Sequence, residues 1–400
     1  MSPTRAPRRR ATLNRAVATA TKAVDRRARR RRLRKQSGQD RAFDNLSLCE
    51  NLSVSRETRQ AYKDAADEFA AWVAAKRLKV HPVDALDDAM TAYIDHLFLQ
   101  GEEPHQAKYA LFGVVKSGMV KSEDSLPRAR QAIAGFSGQS PSVMREPIPV
   151  EAAALMAEHL VDVADLDPMA GLAACAMVLS FDLYLRPSEV IELTKEAVVP
   201  PQGTQYPKWK WAVIVAPSGS INPAKNREFD DTALASVNDA HRDFVGPLLD
   251  VLRRQADPKQ RILDPLTLPV YEKYFRNAAQ ATNLAHLNAT PRSARHGGPS
   301  HDAYHGLLDL KQIMQRGRWK ALSSARRYEK KGMLQRQLAK MTAEQRDKGN
   351  NLLTKRILGQ IIVGTVYSLR RLRKADMVPA APTQANCLGG DCRGHRKRKA

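Results

Sequence analysis

Tyr328 closes the segment S-S-A-R-R-Y, nine residues after Trp319 in I-M-Q-R-G-R-W. Both follow T-P-R-S-A-R-H-G-G, which carries Arg292, Arg295 and His296. Upstream, L-Y-L-R-P-S-E holds Arg186 and, three residues later, Glu189. These residue types suit the cutting and resealing of a phosphodiester. That chemistry, done without a metal, needs a nucleophile, neutralisation of charge growing on the phosphoryl oxygens, and a proton for the leaving oxygen. A tyrosine hydroxyl, with a pKa of about 10, serves once its proton is accepted or nearby cations stabilise the phenolate. Its aryl ester keeps the bond energy for rejoining, so no nucleotide is consumed. Arginine suits the phosphate clamp because its planar fork donates two parallel charge-assisted bonds and stays protonated. Such clamps are usually the largest catalytic contribution.

Each signal has a plainer reading. A tyrosine behind two arginines is ordinarily half-buried packing, and tryptophan is a large apolar filler with a polar handle. Arg186-Pro187 starts a helix, since proline suits the first helical position. Glu189 then sits in the first turn, where an acid faces the helix dipole. It is their order and spacing together that point to chemistry.

The elements that must position these residues fall into five stretches. Residues 1–44 form a basic arm, containing R-R-A-R-R-R-R-L-R-K from Arg26 to Lys35 and too few apolar residues to order itself. A phosphate-binding arm and a nuclear address can be one segment, favoured by the dense block near residue 30, while the lack of early acids favours an organelle transit peptide. Residues 45–136 form a small helical domain. Ser55 is a plausible N-cap, followed by Tyr62, Phe69, Trp72 and Val73 on one face; later stretches run through Met90, Tyr93, Ile94, Leu97 and Phe98, then Tyr109, Leu111 and Val114. Residues 137–149 read as a linker from their Ser, Pro and Gly content. Residues 150–345 form a larger, mainly helical domain. Within it, Lys208 to Ala216 alternates as a strand and R-E-F-D-D-T-A-L returns beside it, giving a small antiparallel sheet. Residues 346–400 hold a helix and a basic tail. Leu352, Leu353, Ile357, Leu358, Ile361, Ile362, Val366 and Leu369 either pack on their own domain or pass to a neighbouring protomer; the β-branched density and Gly364 count against a regular helix. The fold class expected is mainly α, in two domains.

The formal net charge is +23, which favours a polyanionic partner. Residues 1–40 carry a net +12 and residues 387–400 a net +4, so the body is only moderately basic at +7. Four scattered cysteines make no disulfide framework. Cys387, Cys392 and His395 lack a fourth ligand nearby, so no metal or other cofactor is expected. The longest apolar run is far short of a membrane span, and no membrane partner is expected.

The motifs L-R-P-S-E, R-S-A-R-H-G-G, I-M-Q-R-G-R-W and R-R-Y resemble those of the tyrosine recombinases, the phage-integrase family, over about residues 45–345. The resemblance implies a helical core-binding domain and a catalytic domain closing as a clamp on double-stranded DNA, with strand cleavage and rejoining through a 3′-phosphotyrosine. It implies phosphate clamping by Arg186 and Arg295, positioning by Glu189, a phosphate contact from the Trp319 ring NH, and Tyr328 as nucleophile. A lysine can serve as leaving-group acid because its pKa falls near other cations; Lys225, on the loop between the two strands, is the implied one ahead of Lys208 and Lys210, which precede or lie within the first strand. A homo-oligomer on DNA follows from the same likeness, and the basic arm points to a nuclear or nucleoid location. One departure stands out. Arg292 occupies a position where the family usually has histidine; a permanently protonated arginine cannot take the tyrosine's proton, and its remaining catalytic role is to stabilise charge on the phenolate or the phosphate. His296 lies four residues on, next to Arg295. A recombinase that keeps the fold as a DNA-binding protein, and a type IB topoisomerase-like relaxer, are the rival readings.

Overall fold

The computed structural model describes residues 43, 45–140, 146–201, 210–217, 228–235, 239, 241–329 and 331–368. The arm's basic block, Lys208, Lys225, the Cys387–Cys392–His395 cluster and the terminal tail lie outside those residues. The fold is mainly α with one small three-stranded antiparallel sheet, as the patterning predicts. The chain divides into two compact units, Met1–Met144 and Arg145–Ala400.

The first unit opens with a short helix, α1 (Leu48–Asn51), and continues through α2 (Arg56–Lys76), α3 (Val83–Leu99), α4 (Pro104–Lys116) and α5 (Pro127–Gln139). Ser55 caps α2 by accepting from the Thr58 amide. Phe69, Tyr93 and Trp72 bring their rings together at 5.3 Å spacings. Gly113 is required where α4 meets α2, because a Cβ there would lie 2.1 Å from the Tyr62 carbonyl. The Asp87 carboxylate of α3 accepts from the backbone amides of Arg128 and Ala129, which satisfies the open N-terminus of α5. Phe98 lies at the margin of this core, half exposed.

In the second unit, α6 (Val150–Asp162) precedes α7 (Pro168–Asp182), whose residues are buried on every side. A helix apolar all round belongs at the centre of a domain. Its many alanines let α6 pack close, and further helices pack around it in turn. Then come α8 (Pro187–Ile191), β1 (Val198–Val199), β2 (Ala212–Val215), β3 (Asp231–Leu234), α9 (Val245–Gln255), α10 (Leu268–Ala281), α11 (Pro291–Tyr304), α12 (Leu310–Arg316), α13 (Leu322–Arg326), α14 (Lys331–Lys340), α15 (Ala343–Thr354) and α16 (Ile357–Ser368). β2 is central, pairing Val213 with Val198 on one side and with Ala233 on the other, and all three face the core. The two-residue β1 is too short to show an alternating pattern in sequence.

Two expected boundaries move. The helix α5 runs through Gln139, and residues 146–149 belong to the second unit rather than to a linker. Ile148 is buried in that unit's core, and its amide donates to the Ser293 carbonyl. Glu146 accepts from Arg336, Gln337 and Lys340 of α14. The second core also continues past residue 345. Leu352, Leu353, Leu358, Ile362 and Val366 are buried in it, on two regular helices. Gly359 packs so closely on Phe244 that a Cβ would lie 2.6 Å from it, and Gln255 donates to the Val366 carbonyl. The segment thus packs on its own unit, and tertiary burial outweighs the weak helix propensity of its β-branched residues.

Because α16 completes this core from within the same chain, Ile362→Ala is expected to destabilise the protein by about 2–5 kcal/mol. Urea unfolding should show that loss unchanged over a hundredfold range of protein concentration; a helix supplied by a second copy would make it concentration-dependent.

Candidate active site

The described site residues come from three places in the second unit. Arg186 is the residue before α8, with Pro187 at the first helical position. Arg295 and His296 lie in α11, and Trp319 and Tyr328 flank α13. The chain arrives at Arg186 through Tyr184, which is wholly buried and holds a left-handed backbone at φ 52°. That turn ends α7 and aims the next residues across α11. The helices meet so tightly that a Cβ on Gly298 would lie 2.1 Å from the Phe181 carbonyl and 2.7 Å from the Tyr184 ring. This is why R-H-G-G carries glycine there.

Glu189 is the hub. Its carboxylate accepts from the Arg186 amide at 2.8 Å and pairs with the Arg186 guanidinium, with Arg295 at 3.4 Å and with Arg318 at 2.7 Å. Burial works to raise its pKa, but Arg318, Arg295 and Arg186 together hold it below the ordinary carboxylate range. Arg295 is buried, with two carbonyl partners: Tyr184, and Gly317 at 3.2 Å. Burial brings its pKa down to about 9, against the pull of Glu189, so it stays charged at neutral pH.

Trp319 joins the clamp to the tyrosine. Arg295 sits 5.5 Å over its ring, and Tyr328 stacks on it at 4.6 Å with planes 29° apart. Tyr184 lies on it at 6.4 Å. Tyr328 is 5% exposed, packed with Tyr184 and Ile313. Burial raises its pKa, while Arg295, Arg327 and Arg186 pull the other way. At rest the phenol keeps its proton, and three arginines already favour its loss. The His296 ring lies 5.5 Å from that of Tyr328. Arg292, one turn earlier on α11, is exposed.

Behind the clamp lies a second charged cluster. The Tyr184 hydroxyl donates to Asp302, which also pairs with the buried Arg242. Arg242 reaches Asp239 at 2.6 Å and Asp182 at 3.4 Å, and Arg316 pairs with Asp182 at 3.3 Å. Lys210, half-buried, has its pKa lowered by burial and then by Arg316, with Asp182 opposing. No group of metal-ligating side chains occurs among the described residues, and no described helix is long and apolar enough to cross a membrane.

Of the residues whose types and spacing point to chemistry, Arg186, Glu189, Arg295, His296, Trp319 and Tyr328 come together in the fold. Arg318 and Tyr184 join them without any such signal. Arg318 stands inside the quoted I-M-Q-R-G-R-W, but one more arginine in a basic chain carries no signal of burial.

No protein-family model matches the chain, and no curated protein matches it. Among solved structures it is similar to the crystal structure of XerA recombinase, at 13% identity and a TM-score of 0.34, over 70% of this chain and 98% of that one. Backbone likeness of that degree assigns no activity, so the functional reading rests on the side chains.

The lowered Glu189 carboxyl stabilises the fold fully above its unfolded value of about 4.3, and that contribution is lost as pH falls through the lower folded value. Glu189→Gln leaves three guanidiniums short of their shared acid, at a cost of about 3–5 kcal/mol. Denaturant titrations should show a constant gap from about pH 7 to about pH 5, closing below about pH 4 as the wild-type carboxyl is protonated.

Proposed function

We propose that this protein cuts and rejoins DNA strands through a 3′-phosphotyrosine on Tyr328, as a site-specific recombinase or integrase. The observation that carries the reading is the stack of Tyr328 on Trp319 beneath Arg295, with Arg295 and Arg186 sharing Glu189. A tyrosine in ordinary packing has no need of a clamp of this kind. In this reading Arg186 and Arg295 hold two oxygens of the scissile phosphate, and the Trp319 ring NH donates to one of them. The Tyr328 oxygen forms a bond to phosphorus as the bond to the 5′ oxygen breaks. The departing oxygen takes a proton, in our assignment from Lys225, and leaves as a free 5′ hydroxyl. Attack by a 5′ hydroxyl of a partner strand reverses the step. The resealed bond needs no nucleotide, since the tyrosyl ester stores the energy of the broken one.

The guanidinium of Arg292 is a donor with no site to take the phenol proton, and its exposed position suits contact with the DNA backbone. The acceptor is then solvent or His296, whose ring meets that of Tyr328. DNA is held chiefly by phosphate contacts, weakening as salt rises. Exchange between two duplexes breaks four strands, one per tyrosine, so a homo-oligomer assembles on DNA. The basic arm supports a nuclear or nucleoid location, or an organelle address.

A duplex nicked next to the cleavage point traps the intermediate, because the short fragment diffuses away. Wild type should form a covalent adduct that survives denaturing gels, and Tyr328→Phe none. Arg295→Ala should slow adduct formation at least about a hundredfold. Adduct persisting in Tyr328→Phe sinks the nucleophile assignment. A wild type that shifts DNA without any adduct is a DNA-binding protein on a recombinase fold. Plasmid relaxation without recombinant product marks a relaxer.

A further inference from the structure

Arg318 is a buried cation beside the clamp that the assigned roles leave unused. It lies between the clamp and the sheet, donating to Glu189 at 2.7 Å and pairing through Nε with Asp231, the first residue of β3, at 3.2 Å. Its hold on Glu189 is shorter than that of Arg295. Its backbone is left-handed, at φ 57°. For a non-glycine residue that conformation costs about 1–3 kcal/mol and persists only where the surroundings over-determine it. The closing turn of α12 supplies that determination, with Arg318 as the left-handed residue that ends the helix. On either side the chain is held by Arg318 N donating to Gln315 O and Trp319 N to Met314 O. One residue beyond Trp319, Lys320 pairs with Glu228 on the arm leading into β3, an exposed pair that adds little by itself.

We propose that Arg318 is a positioning residue. By joining Glu189 to Asp231 it fastens Trp319, and so the face on which Tyr328 rests, to the start of β3. The sheet and the arginine clamp are then held in one register. The link between Asp231 and Trp319 runs through Arg318. Its importance for catalysis rests on the recombinase reading, whereas its importance for the placement of Trp319 does not.

Fluorotryptophan NMR of the full chain separates the two. The Trp319 resonance is assigned by its loss in Trp319→Phe, and those of Trp72 and Trp211 report that each unit is folded. Asp231→Asn should move or broaden the Trp319 resonance in an otherwise wild-type chain. In an Arg318→Gly background, where glycine accepts the left-handed backbone without strain, Asp231→Asn should cause no further change. A shift of equal size in both backgrounds, or none in either, overturns the proposal. On the nicked duplex, Asp231→Asn and Arg318→Gly should each slow adduct formation about tenfold, with the double variant no slower than Arg318→Gly and DNA affinity within about twofold of wild type. Full additivity of the two losses also overturns it. A wild type without adduct defeats the recombinase reading alone, since the Trp319 resonance still decides the role of Arg318.

Discussion

The clamp of the second unit is organised around one partly buried carboxylate. Glu189 collects guanidiniums from three separate segments: Arg186 ahead of α8, Arg295 in α11 and Arg318 after α12. A lone buried acid is costly, and so is a buried arginine. Neither can be left without the other, so the three segments must converge wherever Glu189 goes. Counting Asp231, three positive charges face two negative ones, a surplus of one. A phosphodiester carries one negative charge, so the proposed substrate balances the site.

The clamp stands on a second constraint, the end of α7. Tyr184 breaks that helix with a left-handed residue and offers its carbonyl to Arg295, its hydroxyl to Asp302 and its ring to Trp319. Arg316 sits 5.0 Å over the same ring and holds the Asp182 carbonyl. Asp302 in turn belongs to the cluster in which Arg242 meets Asp182 and Asp239. Removing any one partner would strand a buried charge. The site is thus backed by ionic contacts as well as packed side chains, which together fix the angles of its side chains.

Much of this was legible in residue order. The Ser55 cap, the helical stretches of the first unit and the paired strands follow from local patterns that tertiary packing leaves in place. Six of the named site residues meet in space because helix starts and close glycine contacts bring their segments together. Other features were illegible for definite reasons. Composition marked residues 146–149 as a linker, yet Ile148 is core and Glu146 is gripped by α14. Weak propensity argued against the helix α16, but burial of Leu358, Ile362 and Val366 decided otherwise. Tyr184 and Arg318 hold left-handed backbones, a conformation that glycine or asparagine would signal in a sequence and that tyrosine and arginine do not.

What the sequence by itself determined is the chemistry on offer: a tyrosine, a tryptophan nine residues before it, two arginines in separate motifs, and an acid three residues after the first. Those are matters of residue type and spacing, which the chain carries whether folded or not. Only the tertiary structure decided which of those groups share a charge. Ion pairing depends on burial and on distances across elements far apart in the chain, and neither is encoded in spacing. Hence Glu189, read as a first-turn acid or a supporting residue, became the hub, and Arg318, one arginine among many, became its nearest cross-chain partner. Arg292, in the middle of the clearest motif, was left in the solvent.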